Sequence, residues 1–346
     1  MSHALVTGGA GFFGGILKRH LLAQRWHVTS VDRVPDPSWH PRLTRIHGDL
    51  RDPWLLNSVF RRGPYDAVFH CAAILAHGID VDEDDLWTSN VTATRMIAEA
   101  CRNHGVPKLI FTSTNCLWAS CAGHAIREDE MPDPVEIYGR SKLAAEHILC
   151  GYAEDLDVVI LRCPTIIDRG RLGLLAILFE FIHDGRTVWV VGDGGNRYQF
   201  IYAADLVRAC MAALRPRVCD IFHVGSDDVQ PLRVVYQAVI DAAESGSRVR
   251  SLPRAPALAA MRAAHRLGIS PLGPYHNRMI AEDFLFDTSR IKERLGWRPT
   301  LSNAEMLTEA YRYYAHRREE IGQRTNVSAH SKAAPMGVIR LLKWVS

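Results

Sequence analysis

Short apolar runs alternate with helix-spaced apolar positions through the first half of the chain. Residues 4–7 (Ala-Leu-Val-Thr) read as a buried strand. Residues 13–24 place Ile16, Leu17, His20, Leu21 and Leu22 on one helical face. Further strands are predicted at 27–32, 43–47, 67–71, 108–113 and 158–162. Helices are predicted at 86–104, ended by Gly105 and Pro107, and at 138–152. Strands that are apolar throughout, separated by helices, form a parallel sheet covered on both faces.

Beyond Pro164 the pattern loosens. Helical patterns at 172–183 and 204–214 flank a strand pattern at 188–191, and Pro and Gly gather between 253 and 274. The expected organisation is a Rossmann-type, doubly wound α/β domain over 1–164, with further core segments near 186–224. A smaller, interleaved C-terminal substrate-binding lobe follows over 165–321, and a polar tail over 322–346. The end of the tail, Met336 to Ser346, is apolar and basic, a pattern that fits docking on protein or contact with a membrane surface.

Composition narrows the class. Of 346 residues, 47% are hydrophobic and 23% charged, which excludes collagen-like and wholly disordered chains. No apolar run approaches the ~20 residues of a membrane-spanning helix, and no signal peptide is visible. The 41 Lys and Arg against 38 Asp and Glu give no argument for nucleic acid. Eight scattered cysteines without a Cys-x-x-Cys pair, in a chain with no export signal, read as reduced thiols of a cytoplasmic protein. Neither cysteines nor histidines stand at zinc spacing, so no metal is expected.

Three motifs carry chemistry. Gly8, Gly11 and Gly14 follow the first strand and open a helix. Such a turn lets backbone approach a pyrophosphate, which the helix N-terminus then attracts. Asp32, at the end of the second strand, stands where a carboxylate meets a ribose diol. It favours NAD over NADP; Arg33 beside it reads either as a partner for a 2′-phosphate or as an exposed or adenine-stacking side chain. Tyr138-Gly-Arg-Ser-Lys142 places a phenol and an ammonium on one helix face. A nearby cation stabilises phenolate and prepares a tyrosine for acid–base work. At the end of the fifth strand, Ser113, Thr114 and Asn115 offer small hydrogen-bonding groups.

Together these motifs resemble the extended short-chain dehydrogenases/reductases and, among them, the NAD-dependent nucleotide-sugar epimerase/dehydratase family, over about residues 3–315. Gly48-Asp49-Leu50-Arg51-Asp52, His70-Cys71-Ala72-Ala73, Asn90, Leu161-Arg-Cys-Pro164 and Leu295-Gly-Trp-Arg-Pro299 are similar to family segments. The resemblance implies that Tyr138 is the acid/base, that Lys142 binds the nicotinamide ribose, and that Thr114 binds the reacting oxygen. It implies cofactor contacts from Gly8, Gly11, Phe12, Phe13, Gly14, Asp32, Arg33, Asp49, Leu50, Cys71, Ala72, Ala73, Asn90, Ser113, Tyr138, Lys142 and Pro164. It implies substrate contacts from Thr114, Asn115, Thr165, Arg197 and Arg278, with surface salt bridges the competing reading for both arginines. It also implies a homodimer through the helices at 86–104 and 138–152, with Ala144, Ala145, Ile148 and Leu149 as apolar surface.

Where family dehydratases carry Asp-Glu, this chain has Asn115-Cys116. Thr165 replaces a family asparagine, and the arginine of Arg197-Tyr-Gln-Phe200 is displaced by one position. The expected reaction is therefore epimerisation of a nucleoside-diphosphate sugar, at C4, by transient oxidation and rereduction on NAD. The alternatives are net dehydrogenation or ketone reduction on a sugar, steroid or other secondary alcohol, and a non-catalytic NAD-binding regulatory protein.

Overall fold

The computed structural model describes residues 2–75, 82–119, 121, 123–215, 219–267 and 279–322. The chain opens with β1 (His3–Thr7), α1 (Phe12–Ala23), β2 (His27–Asp32), β3 (Leu43–His47), α2 (Pro53–Phe60) and β4 (Ala67–His70). Then come α3 (Glu83–Trp87), a π-helical turn (Thr88–Thr92), α4 (Ala93–Asn103), β5 (Lys108–Thr114), α5 (Ile137–Cys150) and β6 (Asp157–Cys163). The second half holds β7 (Thr165–Ile167), α6 (Leu175–His183), β8 (Val188–Val191), β9 (Phe200–Tyr202), α7 (Ala203–Ala212) and β10 (Asp220–His223). It continues with α8 (Leu232–Ala242), β11 (Val249–Leu252) and α9 (Arg254–Arg266), and ends in helices Ser289–Leu295, Asn303–His316 and Arg318–Gly322.

The main sheet has seven strands in the order β10-β6-β5-β4-β1-β2-β3, every pair parallel. Leu5, Val31, Val68 and Leu109 pack on one face with α2, α4 and α5. Ala4, Val6, Val28 and Phe69 pack on the other with α1, α7 and helix Ser289–Leu295. Burial on both sides is why these strands carry no polar alternation. The chain order reverses between β1 and β4, and ligands of such sheets bind outside the strand C-termini at that reversal. Thr7, Asp32, His70, Thr114 and Cys163 all end strands there.

A third apolar cluster gathers Trp118, Ile126, Phe179, Tyr198, Phe284, Phe286, Tyr311 and Tyr314. Two small parallel pairs, β7–β9 and β8–β11, lie in this half. Bridges Ile126↔Phe286 and Tyr198↔Phe284 tie it across long sequence separations.

Two departures from the sequence pattern have local causes. The helix expected over 86–104 is interrupted by the π-turn, which buries Asn90. Helix α2, not anticipated, starts with a clear signal: the Asp52 carboxylate accepts the Trp54 N–H at 2.9 Å, with Pro53 in the first turn. Ala145 and Leu149 are fully buried in this chain's own core, so of the four apolar α5 residues only Ala144 and Ile148 reach the surface. Residues 323–346, including the basic apolar tail, and Arg278 lie outside the described residues.

Candidate active site

The glycine turn is built by close backbone approach. Gly8 has φ +70°, and a Cβ there would lie 2.8 Å from the Ala72 backbone. A Cβ on Gly14 would lie 2.2 Å from the Gly8 carbonyl oxygen. Sequence reasoning passed over Gly9, whose Cβ would stand 2.1 Å from the Ser30 hydroxyl. Gly11 caps α1 without a side-chain acceptor, so the helix N-terminus keeps N–H groups and positive dipole for an anion. Asp32 braces the turn: one carboxylate oxygen accepts Ala10 N–H and the other Val34 N–H, both at 2.9 Å. Each oxygen retains a lone pair for a ribose hydroxyl. A cradle that any side chain would fill, an uncapped helix end and an acid at the next strand end together fit a dinucleotide. Phe13 sends its side chain into the core, whereas Phe12 lies beneath the Arg171 guanidinium, 5.9 Å from its ring centroid.

Arg33 is already engaged. It contacts Asp85 at 3.1 Å and Asp49 at 3.6 Å. Arg51 shares the same two acids at 2.8 and 2.6 Å. The Arg51 contact holds the Asp49 carboxyl below its ordinary range. Leu50 packs in the core beside Leu56 and Val59.

Behind the turn, His70 is buried between two threonines. Thr94 Oγ1 donates to the Asn90 carbonyl at 2.6 Å, so it accepts the His70 Nε2–H at 2.9 Å. Nδ1 is then the acceptor of the Thr7 hydroxyl at 2.7 Å, and Thr7 in turn accepts Ala72 N–H at 3.3 Å. Burial, aided by the Lys142 charge, lowers the imidazole pKa to about 3, so the ring is neutral. Asn90 clamps Ile74 through both backbone groups, at 2.8 and 2.9 Å, and donates to Ser141 Oγ at 3.0 Å. Its amide thereby positions the segment after β4, the stretch of Cys71, Ala72 and Ala73, against α5. The Cys71 thiol, pushed up to about 11 by burial, accepts from Thr112 at 3.6 Å.

Helix α5 meets the end of β5 at Gly139, whose Cβ would lie 2.2 Å from the Cys116 carbonyl oxygen. That contact brings Tyr138 to Thr114, whose hydroxyl hydrogen-bonds the phenol and accepts Cys116 N–H at 3.1 Å. One turn on, Lys142 Nζ donates to the Thr112 carbonyl at 2.7 Å and stands 3.7 Å above the Phe111 ring centroid. Burial lowers the ammonium pKa to about 8, with Cys163, Glu146 and Cys71 opposing. Burial also pushes the Tyr138 phenol well above its ordinary value, with Thr114 and Arg171 acting the other way. In the protein alone the pair is a protonated phenol beside a cation poised near neutrality.

Ser113 points to the opposite side of β5. Its hydroxyl donates to Glu146, which is buried in an ion pair with Arg162 at 2.7 Å. Asn115 donates to the Tyr198 hydroxyl at 2.8 Å, and Thr165 shares that hydroxyl at 3.2 Å. Thr165 follows the buried Pro164 on β7. Arg197 is clamped by Asp283 through two side-chain contacts at 2.8 and 3.1 Å. Sequence reasoning did not single out Gly139, Tyr198 or Arg171, although Gly139 stood inside the Tyr-x-x-x-Lys motif and Tyr198 inside the Arg197-Tyr-Gln-Phe200 segment. Among the described residues no group of His, Cys, Asp or Glu is arranged to hold a metal, and no helix is long and apolar enough to cross a membrane.

A parallel, doubly wound sheet with a glycine turn at its reversal and a Tyr-x-x-x-Lys helix beside the fifth strand defines the short-chain dehydrogenase/reductase class. The profile of the NAD-dependent epimerase/dehydratase family matches residues 4–225, and the chain belongs to that family, whose cofactor is NAD. An uncharacterized protein, y4nG, of Sinorhizobium fredii is 34% identical over 99% of this chain and 85% of its own length. UDP-arabinose 4-epimerase 1 of Arabidopsis thaliana is 28% identical over 94% of this chain and 82% of its own. The crystal structure of UDP-glucose 4-epimerase from Thermotoga maritima, with UDP-glucose, superimposes with TM-score 0.74. That pair shares 22% identity and covers 91% of this chain and 99% of the other.

Proposed function

We propose that this protein epimerises a nucleoside-diphosphate sugar at C4 by transient oxidation, with NAD held through the cycle. The observation that carries the reading is the meeting of Tyr138, Lys142 and Thr114 beside an Asn115 that is neutral and tied to Tyr198. NAD, when bound, would supply the hydride acceptor and donor that the sugar carbon needs. Tyr138 takes the proton of the C4 hydroxyl and gives it back after the keto-sugar has turned. Lys142 holds the nicotinamide ribose and, as a cation, favours the phenolate. Thr114 donates to the reacting oxygen. Gly8, Gly11 and Gly14 receive the pyrophosphate, and Asp32 the adenosine ribose. Expulsion of water needs an acid and a base that Asn115 and Cys116 do not supply.

In this reading the cluster around Tyr198 and Phe284 forms the sugar-nucleotide lobe. The exposed faces of α4 and α5 pair two copies, and free cysteines fit a reducing cytoplasm. The test is incubation with a panel of nucleotide sugars, read by NMR. Interconversion of C4 epimers without accumulation of reduced nicotinamide supports it. Steady reduction of added NAD would make the enzyme a net dehydrogenase instead, and loss of water a dehydratase.

A further inference from the structure

The candidate active site lies at the C-terminal ends of the strands. At the opposite ends of β1, β2 and β3 there is a second cavity, of about 290 Å³, lined by His3, His27, Val28, Arg42, Thr44 and Pro64. Strand register builds it. His3 pairs with His27, and Thr29 with Thr44. Alternation sends these four side chains to the sheet face on which Leu5, Val31 and Ile46 pack. Arg42, in the turn before β3, completes the wall.

That wall is cationic and holds unused donors. One terminal nitrogen of Arg42 donates to the Leu22 carbonyl at 3.4 Å, while its Nε is buried with no hydrogen-bond partner. No carboxylate pairs with this guanidinium among the described residues. A buried donor left without an acceptor carries a desolvation cost, which an anion in the cavity would offset. Neither the His27 ring nor the Thr44 hydroxyl has a hydrogen-bond partner among the described residues. The His3 imidazole is tied to the Thr29 hydroxyl at 3.0 Å and stands edge-on to His27, with ring centroids 6.4 Å apart. Burial, and then His27, holds the His3 ring below its ordinary pKa, with the Pro64 carbonyl and Asp66 acting the other way. The Asp66 carboxylate already accepts the His3 backbone N–H at 2.7 Å and does not line the cavity.

We propose that this cavity is an accessory anion site, separate from the catalytic end of the sheet, whose ligand is a phosphate dianion, free or as the ester of a small alcohol. A guanidinium fork matches two phosphate oxygens, which lysine reproduces only as a point charge. The His27 ring and the Thr44 hydroxyl supply donors for further oxygens, and a tetrahedral dianion can use them where a planar carboxylate, with two oxygens, leaves donors idle. The volume lies at the lower limit of small-molecule pockets, about 300–1,000 Å³, so the body of an ester can have only a few carbon atoms. The site does not depend on the proposed C4 chemistry.

The test is calorimetry on the NAD-saturated protein, so that the glycine turn is filled. Inorganic phosphate, glycerol 3-phosphate and acetate are titrated in turn into the intact protein and into Arg42→Met, His27→Gln and Thr44→Val. Phosphate or its ester should bind at a single site, and acetate about tenfold or more weakly. Arg42→Met should weaken phosphate by about tenfold or more, the scale of one charge-assisted pair, and Arg42→Lys should keep part of the affinity. Tighter binding of glycerol 3-phosphate assigns the cavity to an ester and tighter binding of inorganic phosphate assigns it to the free ion; either supports the proposal. No binding of either phosphate to the intact protein overturns it. So does equal affinity for acetate, or phosphate binding that survives both Arg42→Met and His27→Gln, which would place the ion elsewhere. Should Arg42→Met fail to fold, judged by circular dichroism, His27→Gln and Thr44→Val carry the test. Each should then weaken phosphate, and unchanged affinity in both overturns the proposal.

Discussion

His70→Gln separates a neutral buried imidazole from an ordinary one. The ring lies between Thr7 and Thr94, almost fully buried, and its pKa drops from 6.5 to about 3. An unfolded chain binds a proton at His70 as pH falls through the ordinary value, while the folded chain does not until about 3. Stability from this group is present at neutral pH and is lost as pH falls across that window. The whole interval corresponds to about 5 kcal/mol. A glutamine cannot titrate, but it cannot satisfy both threonines; a buried hydroxyl left without its partner costs about 1–3 kcal/mol. The variant should thus be less stable at neutral pH and lose less on acidification. The two stability curves should cross between about pH 4 and 6. Urea unfolding of the cofactor-free proteins by circular dichroism measures this, because other titrating groups cancel in the difference. Parallel curves over that range would refute a neutral His70.

Tyr138→Phe should reduce turnover by about a hundred- to ten-thousand-fold with folding and retained NAD unchanged; wild-type turnover would exclude Tyr138 as the acid/base. Lys142→Met should lower both NAD affinity and rate, and a variant that keeps full NAD affinity would contradict the ribose contact. Gly14→Ala must displace the Gly8 carbonyl, so retained NAD, read by chromatography after denaturation, should fall by about a hundredfold, and wild-type retention would contradict the cradle. NAD should bind about tenfold or more tightly than NADP, because Asp32 stands at the ribose position and Arg33 is held by Asp49 and Asp85; equal affinities by calorimetry would show that Arg33 leaves those acids.

The first half of the fold was legible because its strands are buried on both faces. Strands β2, β3 and β8 fall on the expected residues, β1, β4, β5 and β6 differ by a residue at their ends, and β7, β9, β10 and β11 were not anticipated. The π-turn at Thr88–Thr92 was not legible: its side chains keep helical spacing, and only Asn90's three bonds to Ile74 and Ser141 select the wider turn. The second half was legible only in part. β7 and β9 are three residues each, and the bridge from Tyr198 to Phe284 joins positions far apart in sequence. At the site, the motif spacing identified which residues would meet but not how their polar atoms are used. Ser113 and Asn90 appeared as cofactor contacts. The hydroxyl of Ser113 goes to Glu146 and the amide of Asn90 to backbone and Ser141, because alternation along β5 and the π-turn aim them there. Arg197 read either as a substrate contact or as a salt bridge, and it is held by Asp283, a partner 86 residues away.

In the proposed reading, Asn115 in place of a dehydratase's acid has a second consequence. Its amide donates to the Tyr198 hydroxyl, which Thr165 shares. A carboxylate at the same position could only accept, so Tyr198 would turn its proton toward it. A negative charge there would also lie near Tyr138 and raise a phenol that burial already holds up. With asparagine, the Arg171 cation acts on the Tyr138 phenol with no opposing carboxylate at position 115. Such a cleft favours phenolate at Tyr138, and each binding step that brings positive charge to the phenol moves it toward the base that oxidation requires. In the proposed reading, the asparagine at 115 thereby leaves the electrostatics that a reversible proton transfer at Tyr138 needs.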